Sequence, residues 1–461
     1  MTLLAGAARA DITPEPGIEL MGYGLRSEPS RGVHDPLFAR ALYLAPAEEP
    51  GSAQLLVSAD LCLLTPLQAR ELRQRIGAES GLPWTQILLA CTHTHSGPET
   101  GLGAEARGRP APPGIEKTFA GIVRAALEAP RRARPARVAW ARARCAIGRN
   151  RRLRDGPEDS MFRVLRVEAV DGSPLALILH CACHPTVLGH ENLEISADWP
   201  GVACRLLESE TGSVALFMLG AHADVDPRTR GLKDLAIPGQ SVGLGFEAVE
   251  VLGRELAESA LGALAEAPVA WREGPLRVAG GTARVPLRPV TDPGETAESV
   301  LARQRRELAE RLEIHEERLP SPGKLEAAVR ARMRGRPLGE AREAIAQARA
   351  HVRDHSVSLF VGERQELDVE LQLMRIADTV LLGLPLEMTV AVGRDWQRRA
   401  SNRELNGGVI SIANGWLRYL PHASDLAHPE AHLHYEVLAS LLAPPACERL
   451  LEVGERLLAR L

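Results

Sequence analysis

Apolar and polar positions along the first half of the chain fall into blocks of two kinds. "ARALYLA" (39–45) and "AQLLVSADLCLL" (53–64) are short apolar runs of strand length. "TPLQARELRQRIGAES" (65–80) instead opens with Thr65 and Pro66, a capping residue followed by a proline at the first helical position. "TQILLACTHTHS" (85–96) reads as the next strand and "KTFAGIVRAALEA" (117–129) as the next helix. "MFRVLRVEAVDGSPLALILHCACHPT" (161–186) reads as a hairpin turning at Asp171-Gly172, and "SVALFMLGAHADVDP" (213–227) as a buried strand running into a polar loop. More strands follow in "ELDVELQLMRIADTVLLGLPLEM" and "GGVISIANG", then a His-rich loop and a helix in "PEAHLHYEVLASLLA". Strands alternating with helices predict an α/β fold, with mixed β-sheets flanked by helices.

Residues 295–355 break that rhythm. They are rich in Ala, Glu, Arg and Leu, with Pro320, Pro322 and Gly323 between two helical runs. The pattern predicts a helical hairpin insertion with a solvated charged face. Its acids are interleaved with its bases, so its arginines do not mark a nucleic-acid surface. As an exposed arm the hairpin also leaves homo-oligomer formation open.

Composition narrows the function classes. The chain has 461 residues, a net charge of -4 and only 3% aromatic residues. Neither a basic field nor a set of base-stacking rings is present, so no nucleic-acid partner is expected. No apolar run reaches the length of a membrane span. The opening "MTLLAGAARADITPEPG" has no basic segment ahead of its apolar patch, so no signal peptide is read and a cytoplasmic location is expected. The seven cysteines lie mostly inside apolar runs, including Cys181 and Cys183 of "HCACH". Zinc cysteines usually come as spaced pairs in loops, so buried inert thiols are the expectation.

Chemistry collects at four strand ends. In "THTHSGP", His93 and His95 are two apart and can share one side. In "HCACHPT", His184 precedes Pro185, which ends the ladder there. Glu387 is the lone charge in the apolar run "LGLPLEMTV", where a buried carboxylate requires a cation. "HLHYEV" brings Tyr435 and Glu436. Histidines and a carboxylate form a zinc-like set that leaves a position for water.

These stretches, in this order, resemble the neutral (non-lysosomal) ceramidase family of zinc amidases. "ADITPEPG", "MGYG", "VHDPLFARAL", "SADLCLL", "THTHSGP", "GRNRR", "HPT", "ISADWPG", "ADVDP", "ANGWLRYLP" and "YEV" carry the likeness over nearly the whole chain. It implies a single catalytic domain over 1–461 with the hairpin inserted in it, and Zn2+ as cofactor. It implies His93, His184, Glu387 and Tyr435 as the metal ligands, with Tyr419 the alternative to Tyr435. It implies His95 and Arg151 as active-site residues. Where the family has a catalytic serine in Gly-Asp-Val-Ser-Pro, this chain has Asp226, with Ala223 at the glycine and Asp224 kept.

The resulting expectation is a zinc-dependent hydrolase of a linear amide in a small-molecule substrate other than ceramide. Metal-activated water attacks, Asp226 takes a proton or binds a polar part of the substrate, His95 serves the leaving amine and Arg151 the oxyanion. Asp198 stands as a carboxylate behind a ligand histidine or as a turn cap. Two other readings stay open: an amide-forming, cyclising or acyl-transfer enzyme, and a non-enzymatic binding protein on the same fold.

Overall fold

The computed structural model describes residues 2–24, 26–102, 112, 114–153, 155–230, 245–266, 271, 275–289, 295–360 and 365–461. Eight strands form the larger sheet: β1 (Leu3–Asp11), β2 (Phe38–Pro46), β3 (Gln54–Ala59), β4 (Ile87–Cys91), β5 (Arg134–Arg144), β6 (Met161–Ala169), β7 (Pro174–Cys181) and β8 (Val214–Leu219). Their order is β8-β7-β6-β5-β1-β2-β3-β4. A second sheet holds β9 (Leu276–Pro286), β10 (Glu366–Ile376), β11 (Thr379–Gly383) and β12 (Asn406–Ile410) in that order. Most neighbours are antiparallel, but β3–β4, β7–β8 and β11–β12 are parallel pairs.

The sheets stack face to face. Leu42, Leu56, Leu88, Leu165, Ile178 and Met218 of the first pack against Met374, Leu381 and Ile410 of the second. Because side chains alternate along a strand, the other face of the large sheet carries Val57, Leu179 and Phe217 into a second core. Four helices cover that face: α1 (Pro66–Ser80), α2 (Ile115–Arg131), α3 (Asp198–Thr211) and α4 (Phe246–Glu266). The outer face of the small sheet is covered by α8 (Val390–Ser401) and α9 (Ala446–Leu458), with Trp396 and Leu450 at the contact. The result is four layers, helix–sheet–sheet–helix.

Local signals operate as their chemistry dictates. Thr65 caps α1 in a reciprocal box with Gln68, and Pro66 starts the helix. Asp171-Gly172 turns the β6–β7 hairpin, with Gly172 at φ 88°. The Ala/Glu/Arg/Leu-rich segment holds three helices rather than two: α5 (Ala297–Arg311), α6 (Pro322–Arg332) and α7 (Leu338–Phe360). Its second run is divided beside Pro337, which cannot continue a helix. All seven cysteines are free and buried, and burial pushes the Cys204 and Cys447 thiols up to about 12.

Candidate metal centre

Four strands end at one place. His93 follows β4, His184 follows β7, His222 follows β8 and Glu387 follows β11, so the carboxyl ends of strands from both sheets converge there. The backbone is held in unusual conformations to do this. His93 has φ 72° and the β-branched Ile412 has φ 54°. Asn414 and Arg418 are also left-handed, at 60° and 67°. Such conformations cost about 1–3 kcal/mol each and cluster where a site requires them.

One ligand-type atom from each of His93, His184, His222 and Glu387 lies within 4.8 Å of all the others. All four residues are buried. Each histidine is oriented from behind. His93 Nδ1 donates to the Cys62 carbonyl at 2.8 Å, His184 Nδ1 to that of Val225 at 3.1 Å and His222 Nδ1 to that of Gly220 at 3.1 Å. With the proton on Nδ1, each Nε2 presents a lone pair to the centre. Those three nitrogens stand 3.5, 3.3 and 3.4 Å from a single oxygen, Glu387 Oε2. The other oxygen, Oε1, accepts from Trp416 Nε1 at 2.8 Å.

These distances fit a metal ion. Ligands held at about 2.0–2.1 Å in a tetrahedral set lie roughly 3.3–3.4 Å from one another. Moreover His222 Nε2 is buried without a hydrogen-bond partner, which a metal would supply. Electrostatics agree with a cation here. Burial alone would raise Glu387, yet the His93 imidazole first, and those of His184 and His222 beside it, hold it well below the usual carboxylate range.

The two tyrosines meet this centre differently. Tyr419 pairs with Glu387 in a short parallel bridge between Glu387–Met388 and Tyr419–Leu420. Its hydroxyl hydrogen-bonds Glu387, and burial followed by that carboxylate pushes the phenol up. The Tyr435 ring lies 5.2 Å from the Tyr419 ring, with the guanidiniums of Arg151 and Arg349 over it at 5.4 and 4.4 Å. Tyr419 therefore meets the carboxylate, and Tyr435 packs edge-on against Tyr419.

His95 Nε2 is 3.2 Å from His93 Nε2, beside the cluster. Its ring is packed edge-on against Tyr23 at 4.8 Å. Gly22, at φ 109°, makes room for it: a Cβ there would lie 2.4 Å from the His95 ring. Asp226 is fully buried; its Oδ1 lies 3.4 Å from Arg151 Nη1 and 3.7 Å from His184 Nδ1. It thus sits on the side of His184 that faces away from Glu387. Arg151 donates to Glu436 at 2.6 Å, so one cation holds two carboxylates.

Asp224 has a different setting. It accepts from Val390 N at 2.8 Å, at the start of α8, from Asn150 at 3.2 Å and from Arg152 at 2.5 Å. Burial pushes it up to about 6, with Arg152 opposing. Asp198 accepts from Leu188 N and Trp199 N, and the Trp199 indole donates to the His184 carbonyl at 3.0 Å. Asp198 therefore braces the loop that carries His184.

His222 and Trp416 are the residues that sequence reasoning passed over. The signal for His222 was the same as for the other three ligand positions, a polar residue at the end of a buried strand, in "LGAHADVDP". Trp416 lies in "ANGWLRYLP", but nothing local gives its indole a role.

The chain matches the family "neutral/alkaline non-lysosomal ceramidase, N-terminal" over residues 3–233. Neutral ceramidase B of Dictyostelium discoideum is 30% identical over 263 residues, covering 49% of this chain and 36% of that protein. The chain thus spans little more than a third of that relative's length. Neutral ceramidase of Pseudomonas aeruginosa is 26% identical over 487 residues, covering 95% of this chain and 69% of the other. The crystal structure of neutral ceramidase from Pseudomonas aeruginosa superposes at a TM-score of 0.71 with 21% identity, over 99% of this chain and 74% of that one. A ceramidase complexed with C2 superposes equally, at 0.71 with 19% identity, over 99% and 75%. The fold is shared, and the chain belongs to the neutral/alkaline non-lysosomal ceramidase family.

Proposed function

We propose that the protein is a zinc-dependent hydrolase of a linear amide bond whose substrate is not ceramide. The observation that carries this is the cage itself: three Nε2 atoms spaced 3.3–3.5 Å from one buried carboxylate oxygen. His93, His184, His222 and Glu387 would hold the ion, with the Tyr419 hydroxyl beside them. A bound zinc lowers the pKa of a water and polarises the amide carbonyl. The chain's own residues do the rest. His95, next to the cage, takes the proton from the attacking water and delivers it to the amine nitrogen as the C–N bond breaks. Gly22 and Tyr23 hold that imidazole in place.

The choice against ceramide rests on Asp226. Where the family resemblance implies a serine hydroxyl, this chain holds a carboxylate locked to Arg151. Arg151 also pairs with Glu436, and Arg152 pairs with Asp224 and Asp425. A wall of paired charges suits a substrate with a polar acyl or amine part better than a long alkyl chain.

Metal content and amide turnover on the same purified protein test the reading. The expected result is about one zinc per chain and release of free amine from short polar N-acyl compounds, with ceramide untouched. A metal-free protein that gains no thermal stability from added zinc would overturn the metal. Ceramide as the best substrate would overturn the substrate class.

A further inference from the structure

The seam between the two sheets carries a second polar site, lined by none of the cage residues. β5 and β6 pair antiparallel with Arg142 opposite Arg163. Two like charges opposite each other on one face of a sheet are destabilising by themselves. The apolar filling of the seam runs along this face through Val138, Trp140 and Leu165. Beyond Trp140 lies a cavity of about 270 Å³, walled also by Arg142, Arg163, Asp378, Thr379 and Asn406.

Arg163 is the unusual member. It is only 8% exposed. Its Nε has no hydrogen-bond partner, and it forms no ion pair among the described residues. Its Nη1 lies 3.4 Å from His180 Nδ1. That ring supplies no negative charge, because its Nε2 donates to the Val409 carbonyl at 2.7 Å and Nδ1 is left as the acceptor. Two acids lie nearby, and the charge of Asp159 acts on Arg163 without pairing directly with it. Asp159 accepts from Met161 N at 3.3 Å and Gln397 at 3.2 Å, and Asp378 from the Thr379 hydroxyl at 3.3 Å. Arg142 reaches Asn406 at the rim. The cavity wall itself carries two guanidiniums and one carboxylate, with Asp159 outside it. A buried guanidinium without a direct ion pair is costly, and an anion in contact with it relieves that cost.

We propose that this cavity binds a small oxyanion of the phosphate type, gripped by Arg163 at its base and Arg142 at its rim. The planar fork of arginine suits phosphate oxygens. At about 270 Å³ the space falls below the roughly 300–1,000 Å³ of pockets for drug-sized ligands, so the occupant is small.

Thermal melting of the full chain at constant ionic strength tests it, titrated with inorganic phosphate, with glycerol phosphate or with chloride. The expected result is a saturable rise in Tm with phosphate and none with chloride. Arg142→Gln should weaken the apparent affinity at least about tenfold, the loss of one charge-assisted contact. Arg163→Met should abolish the response; if that variant does not fold, the Arg142→Gln titration decides. Glu387→Gln, altered in the cage, should respond like the wild type, which separates this site from anion binding at a metal. An equal rise with free phosphate and glycerol phosphate identifies the phosphate group itself as the ligand, and a rise with free phosphate alone identifies the inorganic ion. The proposal is overturned if phosphate and chloride act alike, if Arg142→Gln responds as the wild type does, or if Glu387→Gln loses the response.

Discussion

At the scale of single residues, the cage separates holding from reacting. His222 and His95 lie on the two sides of that division. His222→Ala removes a donor whose Nε2 sits 3.4 Å from Glu387 Oε2. It should lower bound metal well below one per chain and reduce kcat/KM by at least about 100-fold, read from metal analysis beside kinetics. His95→Ala should keep the metal and lower kcat by about 10²–10⁴, the usual range for a lost acid–base group. Gly22→Ala aims at the same imidazole without touching it. The added methyl would overlap the His95 ring at 2.4 Å, so kcat should fall with metal content unchanged. Normal activity in that variant would show that His95 has no role in proton transfer. Three of the four cage positions were legible in the sequence. His93 and His184 announce themselves by strand ends and an adjacent proline, and Glu387 by being charged in an apolar run. His222 was not, because a histidine ending a buried strand looks the same whether or not its ring turns inward. The tyrosine is a matter of register. The sequence offers Tyr435 and Tyr419, and only the folded chain, with Tyr419 paired to Glu387 and its hydroxyl bonded to that side chain, shows which meets the carboxylate.

Elements carry the next level of control. α6 and α7 are joined by Glu326, which accepts from Arg349 at 2.7 Å and Arg330 at 2.8 Å. Arg349 in turn lies over the Tyr435 ring. Burial would raise Glu326, but Arg349 and Arg330 outweigh it and bring it down to about 2. A carboxylate lowered in the folded state stabilises above its unfolded value and loses that contribution as pH falls through the folded value. The Tm gap between wild type and Glu326→Gln should therefore be widest above about pH 5 and close toward about pH 2. A gap independent of pH would mean that the carboxylate's charge is not what joins the helices. Element types were largely legible from period and caps, as in the Asp171-Gly172 hairpin and the Thr65 cap. The divided helix at 332–338 was not. The apolar spacing has the same period on both sides of Pro337, so the pattern alone does not show that the axis is interrupted.

At the scale of the whole molecule, the stack of two sheets explains why so many strands read as unbroken apolar runs. A strand of the large sheet is buried on both faces, by helices on one and the second sheet on the other. The second interface was invisible in the sequence, since alternation disappears when both faces are dry. Leu381 lies in that interface and is fully buried. Leu381→Ala should cost about 2–5 kcal/mol, read as a lowered urea midpoint. A loss under about 1 kcal/mol would mean that the sheets are not packed tightly there. The same stacking has a consequence for the history of each molecule. The cage draws one donor from position 93 and its carboxylate from position 387, on different sheets. A growing polypeptide therefore has nothing with which to complete the cage until most of its length has left the ribosome. On the proposed reading, loading the ion is a late act of maturation, and an interrupted translation product lacks the means to retain it.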